Sequence, residues 1–127
     1  MNAIMNIDLG GHKGLKLWLA TLTETVRSQG PDLTSRQLAL LLQIYLKPHP
    51  HTVRGLAQSL NVSKPVITRA VDTLSLLGFV KRVRDEKDKR NVLIQRTVKG
   101  AVFLTDFAET MEKANQKTIA DDNSATD

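Results

Sequence analysis

Apolar positions recur at helical spacing in four separate stretches ahead of Gly78. Leu15, Trp18, Leu19, Leu22 and Val26 share one face of a helix expected over Leu15 to Gln29, which the breakers Gly30 and Pro31 then close. Thr34, with Gln37 three positions later, has the spacing of a capping box ahead of Leu38, Leu41, Leu42 and Tyr45, so a second helix should run from there to near Pro48. Thr52 caps a short third helix that buries Val53, Leu56, Ala57 and Leu60. Ser63 caps a fourth, with Pro65 tolerated in its first turn and Val66, Ile67, Ala70, Val71, Leu74 and Leu77 forming a broad inner stripe. Between these two helices stands Asn61, one of the few residues that enters the left-handed region cheaply, as a sharp corner between helices requires. Gly78 is placed to end the fourth helix.

Beyond Gly78 the period changes. Phe79 to Arg84 and Asn91 to Thr97 are rich in Val, Leu, Ile and Thr, and read as two strands of a hairpin. Thr97 then caps a last helix, with Ala101, Leu104, Ala108 and Met111 on one stripe and Phe103 and Phe107 beside it. The expected fold is mainly α with a small β-hairpin wing: one winged helix-turn-helix domain in residues 1–127. Its core is 33–97, flanked by helices in 12–30 and 98–120, and the acidic segment 121–127 is expected to be disordered.

Charge makes this outline more specific. Residues 51 to 100 hold eleven Lys and Arg against four Asp and Glu, whereas residues 101 to 127 hold two against six. A basic middle segment within a chain of net charge +5 points to a polyanionic partner docking there, nucleic acid first among them. Seven consecutive charged residues, Arg84 to Arg90, fall at the hairpin tip. A run of this kind is often only a solvated surface, and that reading stays open for Arg84 and Glu86. β-rich flanks on both sides favour a wing, in which Lys87, Lys89 and Arg90 reach a minor groove while Asp85 and Asp88 hold the cations in place. On the fourth helix, Ser63, Lys64, Thr68, Arg69 and Asp72 lie opposite the inner stripe. Thr68 and Arg69 can face bases or phosphates, and the helix N-terminus with Lys64 attracts phosphate oxygens.

Several classes of function are excluded or weakened. With no cysteine there is no disulfide, thiolate metal site or thiol sensor. His49 and His51 alternate in a proline-rich turn without further ligands nearby, so no metal or other cofactor is expected. No Gly-rich phosphate loop and no histidine beside a nucleophile point to an enzyme. The apolar runs are too short to cross a bilayer, and the first residues lack the basic and apolar regions of a signal peptide, so the expected location is cytoplasmic with no membrane contact.

From Leu33 to about Leu104 the chain resembles the MarR (multiple antibiotic resistance regulator) group of winged-helix transcription factors. "LTSRQ" opens the second helix, "SKPVITRAVDTLSLLGFV" is similar to the recognition helix, "DEKDKRNVLIQRT" to the wing and "TVKG" to the start of the next helix. The resemblance implies a regulator, with repression the expected direction, that binds double-stranded DNA through Ser63, Lys64, Pro65, Val66, Thr68, Arg69, Lys87, Lys89 and Arg90. Lys87 stands where the wing motif commonly has Arg, and Pro65 where a small hydroxyl residue is usual. The resemblance also implies a homodimer, and a pocket for a small-molecule effector whose identity the sequence does not give. Family dimers use an N-terminal and two C-terminal helices, whereas this chain shows one helix after the wing. Trp18, Phe103, Phe107 and Met111 give the terminal helices more apolar surface than one small core needs, which places them at the dimer face. The alternative is a winged-helix protein-interaction module that docks an acidic protein surface and binds no DNA.

Overall fold

The computed structural model describes residues 11–125 and places five helices and one hairpin along the chain: α1 Lys13–Arg27, α2 Ser35–Leu46, α3 Val53–Leu60, α4 Lys64–Leu76, β1 Val80–Arg84, β2 Val92–Arg96 and α5 Val98–Ala125. These elements form two compact units. One comprises residues 33–105; the other joins the described residues up to 32 to those from 106 to 125. No helix among the described residues is long and apolar enough to cross a membrane.

In the unit of residues 33–105, the caps fall where the sequence places them. Thr34 accepts from Gln37 N and the Gln37 side chain accepts from Thr34 N, completing the capping box. Thr52 accepts from Gly55 N at the start of α3. Asn61 turns the corner at φ 54°, ψ 49°, and Gly78 leaves α4 at φ 80°, a conformation that a side chain at Cβ would strain. Ser63 departs from expectation: it occupies the N-cap position of α4, but its hydroxyl makes no capping bond. Pro65 has removed one of the two amides that such a cap serves, so the hydroxyl has less to gain from turning inward.

Leu40, Leu41 and Ile44 of α2 are fully buried against Leu56 and Ala57 of α3, Ile67, Ala70, Val71 and Leu74 of α4, and Phe79, Val80 and Ile94. The α2 stripe is thus rotated from the expected one, with Leu38, Leu42 and Tyr45 at its margin. With eight apolar residues from Leu38 to Leu46, α2 offers several stripes of similar hydrophobicity, and the faces of α3 and α4 select among them. The hairpin is antiparallel with Val80 opposite Arg96 and Arg84 opposite Val92; β1 begins one residue later than expected, and β2 is one residue shorter at each end. A bridge from Thr52 to Leu93, with Ile94 N donating to His51 O at 2.9 Å, sews the turn before α3 onto the outer edge of β2.

In the other unit the outcome is reversed. The apolar stripe of α1 lies on the surface, with Trp18 42%, Leu19 68% and Val26 79% exposed, and the buried residue of that helix is Thr21. Ala114 and Thr118 of α5 are buried in the same unit. Both threonine hydroxyls are satisfied within their own helices, Thr21 donating to Leu17 O at 2.8 Å and Thr118 to Ala114 O at 2.9 Å. On α5 the inward stripe passes through Phe103, Phe107, Met111, Ala114 and Thr118, leaving Ala101 and Ala108 outside. The helix also continues to Ala125, through the segment expected to be disordered; residues 126 and 127 lie outside the described residues. After Gly100 no Gly or Pro interrupts it, and each further residue adds a hydrogen bond at little cost once the helix exists.

Candidate nucleic-acid interface

The outer face of α4 carries Ser63, Lys64, Pro65, Thr68, Arg69 and Asp72, all exposed, because Ile67, Ala70, Val71 and Leu74 take up the inner face. Val66, which the resemblance places among the DNA-binding residues, is half-buried at the border of the two faces. The free amides of the first α4 turn lie beside Lys64, so a partial positive charge and a full one occupy the same end of the helix.

One cation on this surface escaped the sequence reading. Arg82 projects from β1 onto α4, where its guanidinium donates to the Asp72 carboxylate and reaches the Thr68 carbonyl at 3.4 Å. The pair neutralises the one acid on the outer face of α4 and ties the base of the wing to the helix. Asp72 and Arg82 are ten residues apart on different elements, and nothing in their local sequence distinguishes them from other solvated charges.

The wing tip is organised by its acids. Asp85 Oδ1 accepts from Lys87 N at 2.9 Å, and Asp88 Oδ1 accepts from Arg90 N at 3.1 Å, so each aspartate closes a tight turn over the following two residues. Asp85 N donates to Asn91 O and Asn91 N to Asp88 O, which fixes the base of the tip. The Arg90 guanidinium meets Asp88 through two bonds, Nε to Oδ1 at 3.1 Å and Nη2 to Oδ2 at 3.3 Å. The guanidinium first, and the Arg90 amide second, hold the Asp88 carboxyl below its ordinary value. Arg90 is therefore a braced cation. Lys87 and Lys89 are exposed with no ion pair among the described residues, free to follow a passing phosphate.

The residues expected at the dimer face separate. Trp18 is exposed on α1, and Phe107 and Met111 are half-buried. The ring of Phe103 instead stacks on Phe79, with centroids 4.4 Å apart, and helps close the core of the winged-helix unit. An open groove of about 630 Å³ between α1 and α5 is lined by Leu19, Ala20, Ala114, Lys113 and Lys117 among others, and so adjoins the exposed α1 stripe at Leu19. His51 is buried, its Nε2 3.2 Å from the Lys47 carbonyl, and among the described residues no group of three or more candidate ligands could hold a metal ion.

Comparison with known proteins sharpens this outline. The model of the MarR family matches residues 32–91, which span α2, the helix-turn-helix and the wing tip. The chain is 32% identical over 115 residues to the HTH-type transcriptional regulator YdcH of Bacillus subtilis (strain 168), covering 84% of this chain and 78% of that one. It is 33% identical over 79 residues to the HTH-type transcriptional repressor YetL of the same organism, covering 61% of this chain and 47% of YetL. Among solved structures, wild-type MarR from E. coli in its apo form superposes with a TM-score of 0.64 at 26% identity, over 94% of this chain and 91% of that one.

Proposed function

The chain belongs to the MarR family of HTH-type transcriptional regulators, a family of regulators rather than enzymes, and from that premise we propose that it is a cytoplasmic, sequence-specific repressor that binds a pseudo-palindromic duplex as a homodimer. The observation that carries this reading is the joining of two basic elements into one surface. α4 presents Thr68 and Arg69 at the scale of a major groove, and Arg82 holds the wing, with Lys87, Lys89 and Arg90, at a fixed offset beside it.

Each residue then has a role set by its chemistry. Arg69 has the planar fork that reads guanine O6 and N7, and Thr68 can contact either a base edge or a thymine methyl. Ser63 and Lys64 sit at the start of α4, where helix amides and a cation together receive a backbone phosphate; Pro65 and Val66 supply apolar contact at the same end. On the wing, Lys87 and Lys89 act as point charges and Arg90, braced by Asp88, enters the minor groove. The exposed stripe of α1, with Trp18, and the α5 residues Phe107 and Met111 supply the dimer face.

Selection of bound fragments from a random duplex library by the purified protein tests the proposal. The expected product is a pair of inverted half-sites whose centres are about one helical turn apart or a multiple of it. Recovery of no enriched sequence, together with capture of an acidic protein by the same basic face, would replace the repressor with an interaction module.

A further inference from the structure

The wing has an inner and an outer face, and its strand cations divide between them. Val80 and Ile94 are buried in the core of the winged-helix unit, so the even-numbered residues of the hairpin turn inward: Val80, Arg82 and Arg84, opposite Arg96, Ile94 and Val92. Lys81 and Val83, opposite Gln95 and Leu93, share the outer face. On the inner face the Arg82 guanidinium meets the Asp72 carboxylate and the Thr68 carbonyl of α4. Arg84 lies on that same face, two residues and so about 6 to 7 Å further toward the tip. It is exposed, as is Val92 opposite, so among the described residues nothing fills the inner face at this level.

The acids around Arg84 are engaged elsewhere. Asp72 is paired with Arg82, Asp88 with Arg90, and Asp85 accepts from the Lys87 amide. Arg84 itself has no ion pair among the described residues. The placement of α4 beside the wing gives this unpaired cation a target. On one side of a duplex, a major groove and the minor groove next to it are separated by a single sugar–phosphate strand. A helix in the first and a hairpin tip in the second must straddle that strand, and the concavity between them receives its phosphates. Arg82, which joins β1 to α4, forms the floor of that concavity with its charge offset by Asp72. Arg84 stands on the wing side above it with its charge uncompensated.

We propose that Arg84 is a phosphate clamp that grips the strand straddled by α4 and the wing tip. This rests on the reading of the protein as a duplex-binding regulator, and it adds a contact that neither the recognition helix nor the tip supplies. The charge run alone left Arg84 readable as a solvated residue; its place on the inner face of β1 gives it a partner. Its planar fork suits two oxygens of one phosphate, and its position is set by strand pairing rather than by the turns of the tip. The strand is straddled only when helix and tip are both seated, so the contact fixes register without reading a base.

The test uses the full chain with the selected operator and a random duplex, each titrated across a range of salt. Arg84→Gln should weaken binding to both by about fivefold or more and make the slope of log K against log salt shallower by about 1. Lys81→Gln removes the same charge from the outer face of the same strand, and should keep affinity within about twofold at an unchanged slope. Neutral methylphosphonate groups placed singly along a half-site then locate the contact. One position on the strand between the two grooves should weaken the wild type, and the same replacement should cost Arg84→Gln nothing further. Wild-type affinity and slope in Arg84→Gln overturn the clamp. So does a loss that Lys81→Gln matches, which would mean net charge alone, or one that adds fully to the loss at every neutralised phosphate. A wild type that binds neither duplex fails one step earlier, at the duplex-binding reading itself, and takes the proposal with it.

Discussion

The two units of this chain solve the problem of burial in opposite ways. The winged-helix unit encloses Leu40, Leu41, Ile44, Leu56, Ile67, Val71, Leu74 and Ile94 almost completely and turns its charges outward. The unit of α1 and distal α5 encloses Thr21, Ala114 and Thr118, and leaves Leu15, Trp18, Leu19, Leu22 and Val26 in water. The first is complete as a single chain. The second carries an apolar stripe that the described residues of its own chain do not cover, which is the surface of a protein that associates.

This contrast gives substitutions of the same chemical kind different consequences. The largest effect is expected in the complete unit: Leu74→Ala empties a fully buried site on α4 and should cost about 2 to 5 kcal/mol of stability, read as a lower urea midpoint at unchanged slope. Trp18→Ala with Leu22→Ala removes comparable apolar area from the exposed stripe. It should leave the winged-helix unit folded and raise the dimer dissociation constant by about tenfold or more, followed by sedimentation equilibrium. A urea midpoint that falls as far as in Leu74→Ala, at unchanged association, would mean that the stripe packs within one chain, and the contrast would fail.

Smaller effects sharpen the distinction on the DNA surface. Arg69→Ala should cost about 1 to 3 kcal/mol on the selected operator and reduce its advantage over random duplex, as loss of a base contact does. An unchanged ratio would make Arg69 a backbone clamp and move base reading to Pro65, Val66 or Thr68. The smallest effect belongs to the wing tip. Asp88 is held below its ordinary value by Arg90, so the order it gives is present above the unfolded pKa and is lost as pH falls through the lowered folded one. Near pH 4, where an ordinary aspartate is about half protonated, the Arg90 amide should still give the chemical shift of a hydrogen-bonded turn; Asp88→Asn should weaken that turn while losing the pH dependence.

What the sequence revealed follows the same division. The helix-turn-helix was legible because its signals are local: the Thr52 cap, Asn61 in the left-handed region, Gly78 at the end of α4, and an inner stripe with one dominant phase. Lys87, Lys89 and Arg90 were legible as a wing because strands flank them, and Asp88 braces the Arg90 guanidinium as expected, whereas Asp85 meets the backbone amide of Lys87 rather than a cation. The phase of α2 was not, since a leucine-rich helix is apolar on several faces. Phe103 and Phe107 look equivalent in sequence, yet only Phe103 meets Phe79, a contact set by the path of the chain after the wing. Arg82 was missed for a related reason. It acts through partners more than nine residues away, and one-dimensional periodicity carries no record of such pairs.

The central claim, that α4 and the wing grip one duplex together, is tested most directly by affinity for the selected operator across a range of salt. Wild-type protein should show log K falling linearly against log salt, with a slope of roughly −0.9 for each phosphate contacted. Lys87→Ala and Lys89→Ala should each make that slope shallower by about 1 and weaken operator and random duplex alike, since point charges on the wing hold the backbone without reading bases. A wild-type slope indistinguishable from zero, or a slope that neither lysine changes, would contradict the account.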